Sequence, residues 1–331
     1  MQTHNYSGEY QDIEIEGTLL ATGKRECAKR WQIIKPYILP NSSIIDIGSY
    51  HGYFGIKISR EIKNTTVLSI ESNPTWAFEQ ARIVQANKLM NIVVSKHSFS
   101  LNDLIWLNNV VEGIDYFMML SVLEYFPEND IDKIIKSISE MCPHFIVEFP
   151  DIKETKAAGY DNIKNFSPFI KHLTKHFDNV QIIGKAIATT DHSMVRNIYL
   201  AENKYLKRDK LKSSKDHIKS RNHTLEYKDN KWLMEEVNTQ NRKWITGFNL
   251  HNLLKFNIIY PDKQWFIEQS YLKYQKIFDE HKEISDISLK NILFTSIGLQ
   301  VIDYLEIKNI RNQEEFNEHF ERCVVKLINA C

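Results

Sequence analysis

The chain lacks an excess of charge of either sign: Lys and Arg total 42, and so do Asp and Glu. A protein that binds nucleic acid through its overall field is thereby excluded, because that capture needs a net basic surface. Cysteine is scarce. Cys27, Cys142, Cys323 and Cys331 are the four, and no two form a C-x-x-C pair. That spacing fits neither a disulfide frame nor a thiolate zinc site, and the thiols read as free in a reducing compartment. Long apolar runs are missing too. The most apolar window, Ile114 to Phe126, is too short to span a bilayer and carries acids. The first residues are polar, without the charged-then-apolar order of a secretory leader. The expectation is a cytoplasmic protein with no membrane span. No internal repeat or low-complexity tract is visible.

What is present is enough for two domains: 331 residues, of which 43% are hydrophobic, so each half can bury a core. The richest stretch runs from Ser43 to Gly55. An apolar strand ends in Asp46-Ile47-Gly48, and a tight turn through Ser49, Tyr50, His51 and Gly52 leads into a helix starting near Tyr53. A doubly wound α/β sheet holds a nucleoside cofactor at that place, the carboxyl end of its first strand. The helix is expected to aim its free N–H groups at the ligand. Dinucleotide enzymes want G-x-G-x-x-G there, so that N–H groups meet a pyrophosphate. This loop reads D-x-G-x-x-x-G-x-x-G, with an acid ahead of the first Gly and wider spacing.

The flanks supply further strands. Thr66 to Glu71 ends in an acid placed to accept ribose hydroxyls. Asn73-Pro74 opens a helix, with Pro in its first turn. Asn91 to Val94, the apolar part of Ile114 to Phe126, and His144 to Pro150 follow. Val180 to Gly184 and Arg196 to Ala201 read as a closing antiparallel pair. This ordered set over roughly residues 20–203 resembles the class I S-adenosylmethionine-dependent methyltransferases. The resemblance implies a Rossmann-like, doubly wound, mostly parallel α/β sheet of seven strands. It also implies cofactor contacts at Asp46, Gly48, Ser49, Gly52, Glu71, Ser72, Ser98 and Leu120. Ser98 follows His97, where the family has an acidic or polar adenine contact, and the usual Asp is missing. Glu124 and Glu148, at the ends of the fourth and fifth strands, are the candidate general bases for a hydroxyl acceptor. His51 is open to cofactor or substrate contact. Trp76 and Phe78 are read as helix packing.

The second half carries another pattern. Residues 204–222 crowd Lys and Arg without interleaved aromatics and read as a basic linker. Leu225 to Tyr227 and Trp232 to Met234, around Asp229-Asn230, are expected to make one hairpin. Asp286, Asn291 and an apolar strand, then a second strand closed by Asp303, resemble the catalytic loop and metal-binding strand of protein kinases and aminoglycoside phosphotransferases. Gly247 to Leu254 resembles that family's post-hinge helix, and Trp265 to His281 its long helix. The pattern departs from the family in three places. Ile284 stands where His or Tyr is usual, Tyr304-Leu305 replaces Phe-Gly, and Lys204 to Thr246 contains no Gly. The reading is a mainly α, degenerate kinase-like lobe over 223–331 that does not use Mg-ATP; an active phosphotransferase and a chance match stay open. The two-domain architecture resembles bifunctional methyltransferase-kinases of bacterial surface polysaccharide synthesis. It implies O-methylation of a sugar, phosphosugar or related small acceptor, no metal in the methyltransferase site, and no nucleic-acid partner. A homo-oligomer or a pathway-enzyme partner is compatible with it. The alternatives are a two-activity enzyme, or a scaffold with a pseudokinase lobe.

Overall fold

A computed structural model describes residues 10–110, 114–150, 166, 168–187, 195–203, 217–219, 223–228, 231–236, 242–245, 247–281, 284, 287–296, 298–301, 310 and 312–330. A short hairpin, β1 (Ile13–Ile15) with β2 (Thr18–Ala21), leads into helix α1 (Cys27–Ile34). An alternation of strands and helices follows: β3 (Ser43–Ile47), α2 (Tyr53–Glu61), β4 (Thr66–Glu71), α3 (Pro74–Ala86), β5 (Ile92–Lys96), α4 (Leu101–Val110), β6 (Tyr116–Leu120), α5 (Glu128–Met141) and β7 (His144–Phe149). Two long strands, β8 (Asn179–Ile187) and β9 (Val195–Glu202), complete the first half.

These strands are apolar because both faces of the sheet are covered. Every residue of β3 and β4 is buried. α5 shows the other pattern, an amphipathic one, burying Ile131, Ile134, Ile135, Ile138 and Met141 at helical spacing. Asn73 starts α3 sharply, its side chain accepting from the N–H groups of Thr75 and Trp76 while Pro74 occupies the first turn.

The large sheet has eight strands, one more than expected. The order is β15-β5-β4-β3-β6-β7-β9-β8, where β15 (Ile258–Tyr260) comes from the second half. β5, β4, β3, β6 and β7 run parallel, while β9, β8 and β15 are antiparallel to their neighbours. This is a mixed α/β fold with a large, mostly parallel sheet. From β3 the chain winds out to β5 and then returns to β6 on the other side, so the order reverses beside β3. The crevice at such a reversal, outside the carboxyl ends, is where open α/β sheets bind ligands.

β15 is fixed to the sheet edge by Asn257, whose carbonyl accepts from the Lys96 N–H at 3.1 Å and whose Nδ2 donates to the Lys96 carbonyl at 3.0 Å. Ser95 Oγ donates to the Phe256 carbonyl. One apolar core therefore runs through both halves, from Val93, Phe117 and Phe145 to Phe256, Phe266 and Phe294. The opposite face of the sheet has its own core, including Ile13, Trp31, Ile44 and Ile58.

Among its described residues the second half combines helices, the larger share, with two small antiparallel sheets. β10 (His217–Lys219), β11 (His223–Lys228), β12 (Lys231–Glu236) and β13 (Arg242–Ile245) form a four-stranded antiparallel sheet. The expected hairpin is there in the pairings of Leu225 with Met234 and Tyr227 with Trp232, but two flanking strands extend it. β10 lies inside the stretch read as basic linker, so part of that linker is paired strand. A second small sheet joins β14 (Gly247–Asn249), β16 (Ile292–Thr295) and β17 (Gly298–Val301). The expected long helix spans Lys263–His281. Asp286 and Asp303 lie outside the described residues, and Asn291 ends a single 3-10 turn just before β16. Among the described residues no helix is long and apolar enough to cross a membrane.

Candidate active site

The loop after β3 is built from left-handed backbone. Gly48, Tyr50 and Gly52 have φ of +71°, +54° and +78°. Glycine tolerates that region at little cost, whereas a bulky residue such as Tyr50 is strained there. Gly48 is also a close approach, since a Cβ on it would sit 2.3 Å from Val122 Cγ2. Val122 follows β6, so this contact seals β3 against β6 directly beneath the crevice.

Asp46 is buried at the end of β3, and its Oδ2 has no hydrogen-bond partner. Burial pushes its carboxyl up to about 7, and the neighbouring Glu71 adds to the rise. Glu71, at the end of β4, is committed to the backbone: Oε2 accepts from the Tyr50 N–H at 2.9 Å and Oε1 from the Asn73 N–H at 2.8 Å. It ties the Gly loop to the entrance of α3 while keeping lone pairs for further donors. Ser49 donates to Gln80 Oε1 at 2.8 Å, and the Nε2 of this buried Gln80 is unpartnered. Gly52 is pressed against the same side chain, a Cβ there lying 2.4 Å from Gln80 Nε2. His51 pairs with Glu79 at 2.7 Å; its Nδ1 has no partner, and burial holds its pKa below the usual value. Three buried polar atoms around one loop, on Asp46, His51 and Gln80, thus lack partners among the described residues. Such groups are costly unless a ligand or water meets them.

One donor of the α2 N-terminus is already taken. The Tyr53 N–H is met at 3.2 Å by Gln11 Oε1, from the segment that precedes β1. Trp76 and Phe78 do not pack as expected. They are 38% and 49% exposed, and the Trp76 ring stands 4.4 Å from that of Tyr50, which also meets Tyr10 at 5.1 Å. Both lie near the start of α3, and Lys96 at the end of β5 stands over the Phe78 ring. Ser72 and Ser98 are exposed and Leu120 is partly buried at the end of β6. His97 hydrogen-bonds Asp103, an acid five residues beyond Ser98 in the first turn of α4, at 3.0 Å.

The far side of the crevice holds a buried charge cluster. Glu148, at the end of β7, is fully enclosed. Arg30 donates to it through Nε and an η nitrogen at 2.8 and 2.9 Å, and Arg25 donates at 2.8 Å. Ser121 donates to it as well, at 3.0 Å. The two guanidiniums outweigh its desolvation and hold its carboxyl down at about 2. A carboxylate so stabilised is a poor proton acceptor, so the expected base role does not suit Glu148. Glu124 is equally buried and pairs with Arg196 at 2.6 Å, yet desolvation dominates and raises its pKa. Arg25, Arg30, Arg196, Tyr10, Ser121, Val122 and Gln80 were not foreseen as site residues. The first two lie in the segment Gly23 to Trp31, ahead of β3.

No known protein-family profile matches the chain, and no curated protein does. Solved structures similar to it include the N-terminal domain of EvdMO1 in the presence of SAH and D-fucose. Identity there is 10% and TM-score 0.42, over 60% of this chain and 92% of that one. WbdD matches at 12% identity and TM-score 0.42, over 92% of this chain and 81% of its own. Magnesium protoporphyrin IX methyltransferase (ChlM) from Synechocystis PCC 6803 with bound SAM matches at 14% identity and TM-score 0.39, over 53% and 77%.

Proposed function

We propose that the chain is an S-adenosylmethionine-dependent methyltransferase. The observation that carries this reading is Asp46: a buried acid with one oxygen unpartnered among the described residues, at the carboxyl end of β3, beside a loop closed by the Gly48–Val122 contact. An acid held near neutrality by burial and a second acid is satisfied by a cationic ligand. A dinucleotide would bring a doubly negative pyrophosphate to the same loop, toward Asp46 and Glu71. The sulfonium cofactor brings positive charge, so charge favours it over the dinucleotide. Asp46, Glu71 and the backbone of 48–52 would hold it, with Ser49, Ser72, Ser98 and Leu120 along the same edge.

When bound, S-adenosylmethionine supplies an electrophilic methyl group for in-line displacement. The work left to the protein is alignment. Glu71 and Ser49 fix the loop, Val122 closes its floor, and Arg25 with Arg30 anchors the β7 side through Glu148. Glu124 is the remaining candidate to take a proton from an acceptor hydroxyl, its raised pKa suiting that task better than that of Glu148. The acceptor we assign is a sugar, phosphosugar or related small molecule in surface glycan synthesis, on the strength of the sequence resemblance. We assign the second half to stability and acceptor docking, because β15 and the shared core tie it to the sheet. Titration calorimetry with S-adenosylhomocysteine and with NAD tests the cofactor. The expected result is binding of the first alone, and a loss of more than ~100-fold in Gly48→Val. Binding of NAD with no binding of S-adenosylhomocysteine would overturn the reading.

A further inference from the structure

We infer that Phe256 and Asn257, both from the second half, are positioning residues for the nucleoside end of the cofactor site; the inference rests on the cofactor reading above. That end lies outward from Glu71. The acid at the end of β4 suits a ribose, and the next strand out is β5. β5 runs into residues 97–100, which belong to no helix or strand until α4 begins at Leu101. The His97 N–H donates to the Glu71 carbonyl at 3.0 Å. Ser98 therefore follows directly on the residue that is bonded to the ribose acid's own backbone, where a base attached to that ribose would lie.

The second half supplies the floor of this segment. Residues 97 to 100 alternate half-buried, exposed, half-buried, exposed. The half-buried pair, His97 and Phe99, both meet the Phe256 ring, His97 edge-on at 5.4 Å and Phe99 stacked at 6.4 Å. Successive side chains of an extended segment point to opposite sides. With 97 and 99 resting on one ring, Ser98 between them is turned away from it and displayed. Phe256 itself is buried, so it acts on this segment from beneath and not by meeting a ligand.

Asn257 locks the same floor. Leu254–Phe256 form a 3-10 turn, and Asn257 ends it at φ +51°, a left-handed setting that Asn adopts more readily than most side chains. From there it clasps Lys96 at both backbone groups, at 3.1 and 3.0 Å, while Ser95 Oγ donates to the Phe256 carbonyl. Residues 95, 96 and 97 are thus each tied to 256 or 257. The far end of the segment is held by Asp103, which accepts from the Ser100 N–H and hydroxyl at 2.7 Å each and hydrogen-bonds His97 at 3.0 Å. A short irregular segment that must be ordered on binding costs affinity, and ordering it beforehand recovers that cost. Phe256 and Asn257 do this for the segment that presents Ser98 to the base.

The test is a double-substitution cycle on the full chain, read as calorimetric affinity for S-adenosylhomocysteine. Ser98→Ala is expected to lose about three- to ten-fold, the range of one hydrogen bond. Phe256→Leu keeps an apolar side chain but removes the ring under His97 and Phe99, and is expected to lose about ten-fold. The doubly substituted chain should stay within about two-fold of Phe256→Leu alone, because the Ser98 contact has already gone. A purely structural role for Phe256 predicts instead that the two losses multiply, and that result would overturn the inference. No loss in Ser98→Ala would overturn it too. Asn257→Gly gives a second cycle that leaves the core intact: it allows the left-handed backbone, removes the Nδ2 bond to Lys96, and should lose about three-fold, again absorbing the effect of Ser98→Ala. If Phe256→Leu does not fold, this cycle decides. A wild type that does not bind S-adenosylhomocysteine at all would fail the cofactor reading itself and take this one with it.

Discussion

Asp46 and Glu148 end two strands of the same sheet, are both buried, and live in opposite conditions. Asp46 has an unpartnered oxygen and a pKa pushed up to about 7; Glu148 has two guanidiniums and a hydroxyl on it and a pKa of about 2. The difference teaches how to read a buried acid. Where the chain supplies the counter-charge, the acid is part of the scaffold. Where it does not, the acid waits for something from outside.

The largest expected effect breaks the scaffold side. Glu148→Ala leaves Arg25 and Arg30 buried with no carboxylate between them. Removing one partner of a buried ion pair costs about 3–5 kcal/mol. Urea unfolding at pH 7 measures it, and a loss under about 1 kcal/mol would mean that the cluster is solvated. The wild-type contribution of Glu148 also has a pH signature. Its folded pKa is lowered from 4.5, so its stabilisation is present above that value and is lost as pH falls toward about 2.

The matching change on the other side has the opposite sign. Asp46 has a folded pKa above its unfolded value of 3.8, so between there and about 7 the folded chain holds a proton that the unfolded chain has released. Stability therefore falls as pH rises through that window. Asp46→Asn removes the fall, and at pH 8 the variant is expected to be more stable than wild type by on the order of a few kcal/mol. At pH 4 the two should melt together. A variant less stable than wild type at both pH values would show that Asp46 is compensated after all.

The smallest effect sharpens the comparison at its rim. Trp76 is 38% exposed, so Trp76→Ala should change stability by less than about 1 kcal/mol. A loss of several kcal/mol in thermal unfolding would restore the packing role that the sequence suggested.

The scaffold was far more legible in the sequence than the site. β3, β4 and β7 are contiguous apolar runs bounded by turn residues, and Asn73-Pro74 announces α3 in the chain itself. Local signals of this kind survive folding because strands buried on both faces need mostly apolar residues. Asp46 and the glycines of the loop were legible for the same reason: they are neighbours in sequence. The Arg cluster was not. Its members lie at positions 25, 30 and 196, converging on acids at 124 and 148, and no window contains the pattern. β15 escaped for a related reason, since three residues carry no period and only the exposed edge of β5 makes them a strand. The capping of α2 by Gln11 could not be foreseen either, because a side chain 42 residues upstream supplies it.

The central claim is that Asp46 awaits a cation, and proton release measures it directly. S-adenosylmethionine should be titrated into wild type and Asp46→Asn at pH 6.5, by calorimetry in two buffers of different ionisation enthalpy. An acid with a pKa of about 7 is then largely protonated, and a cationic ligand beside it should drive the proton off. The account predicts release of roughly half a proton or more per wild-type molecule, none in Asp46→Asn, and weaker binding in the variant. Binding of equal strength to both proteins, with no proton released by either, would contradict it.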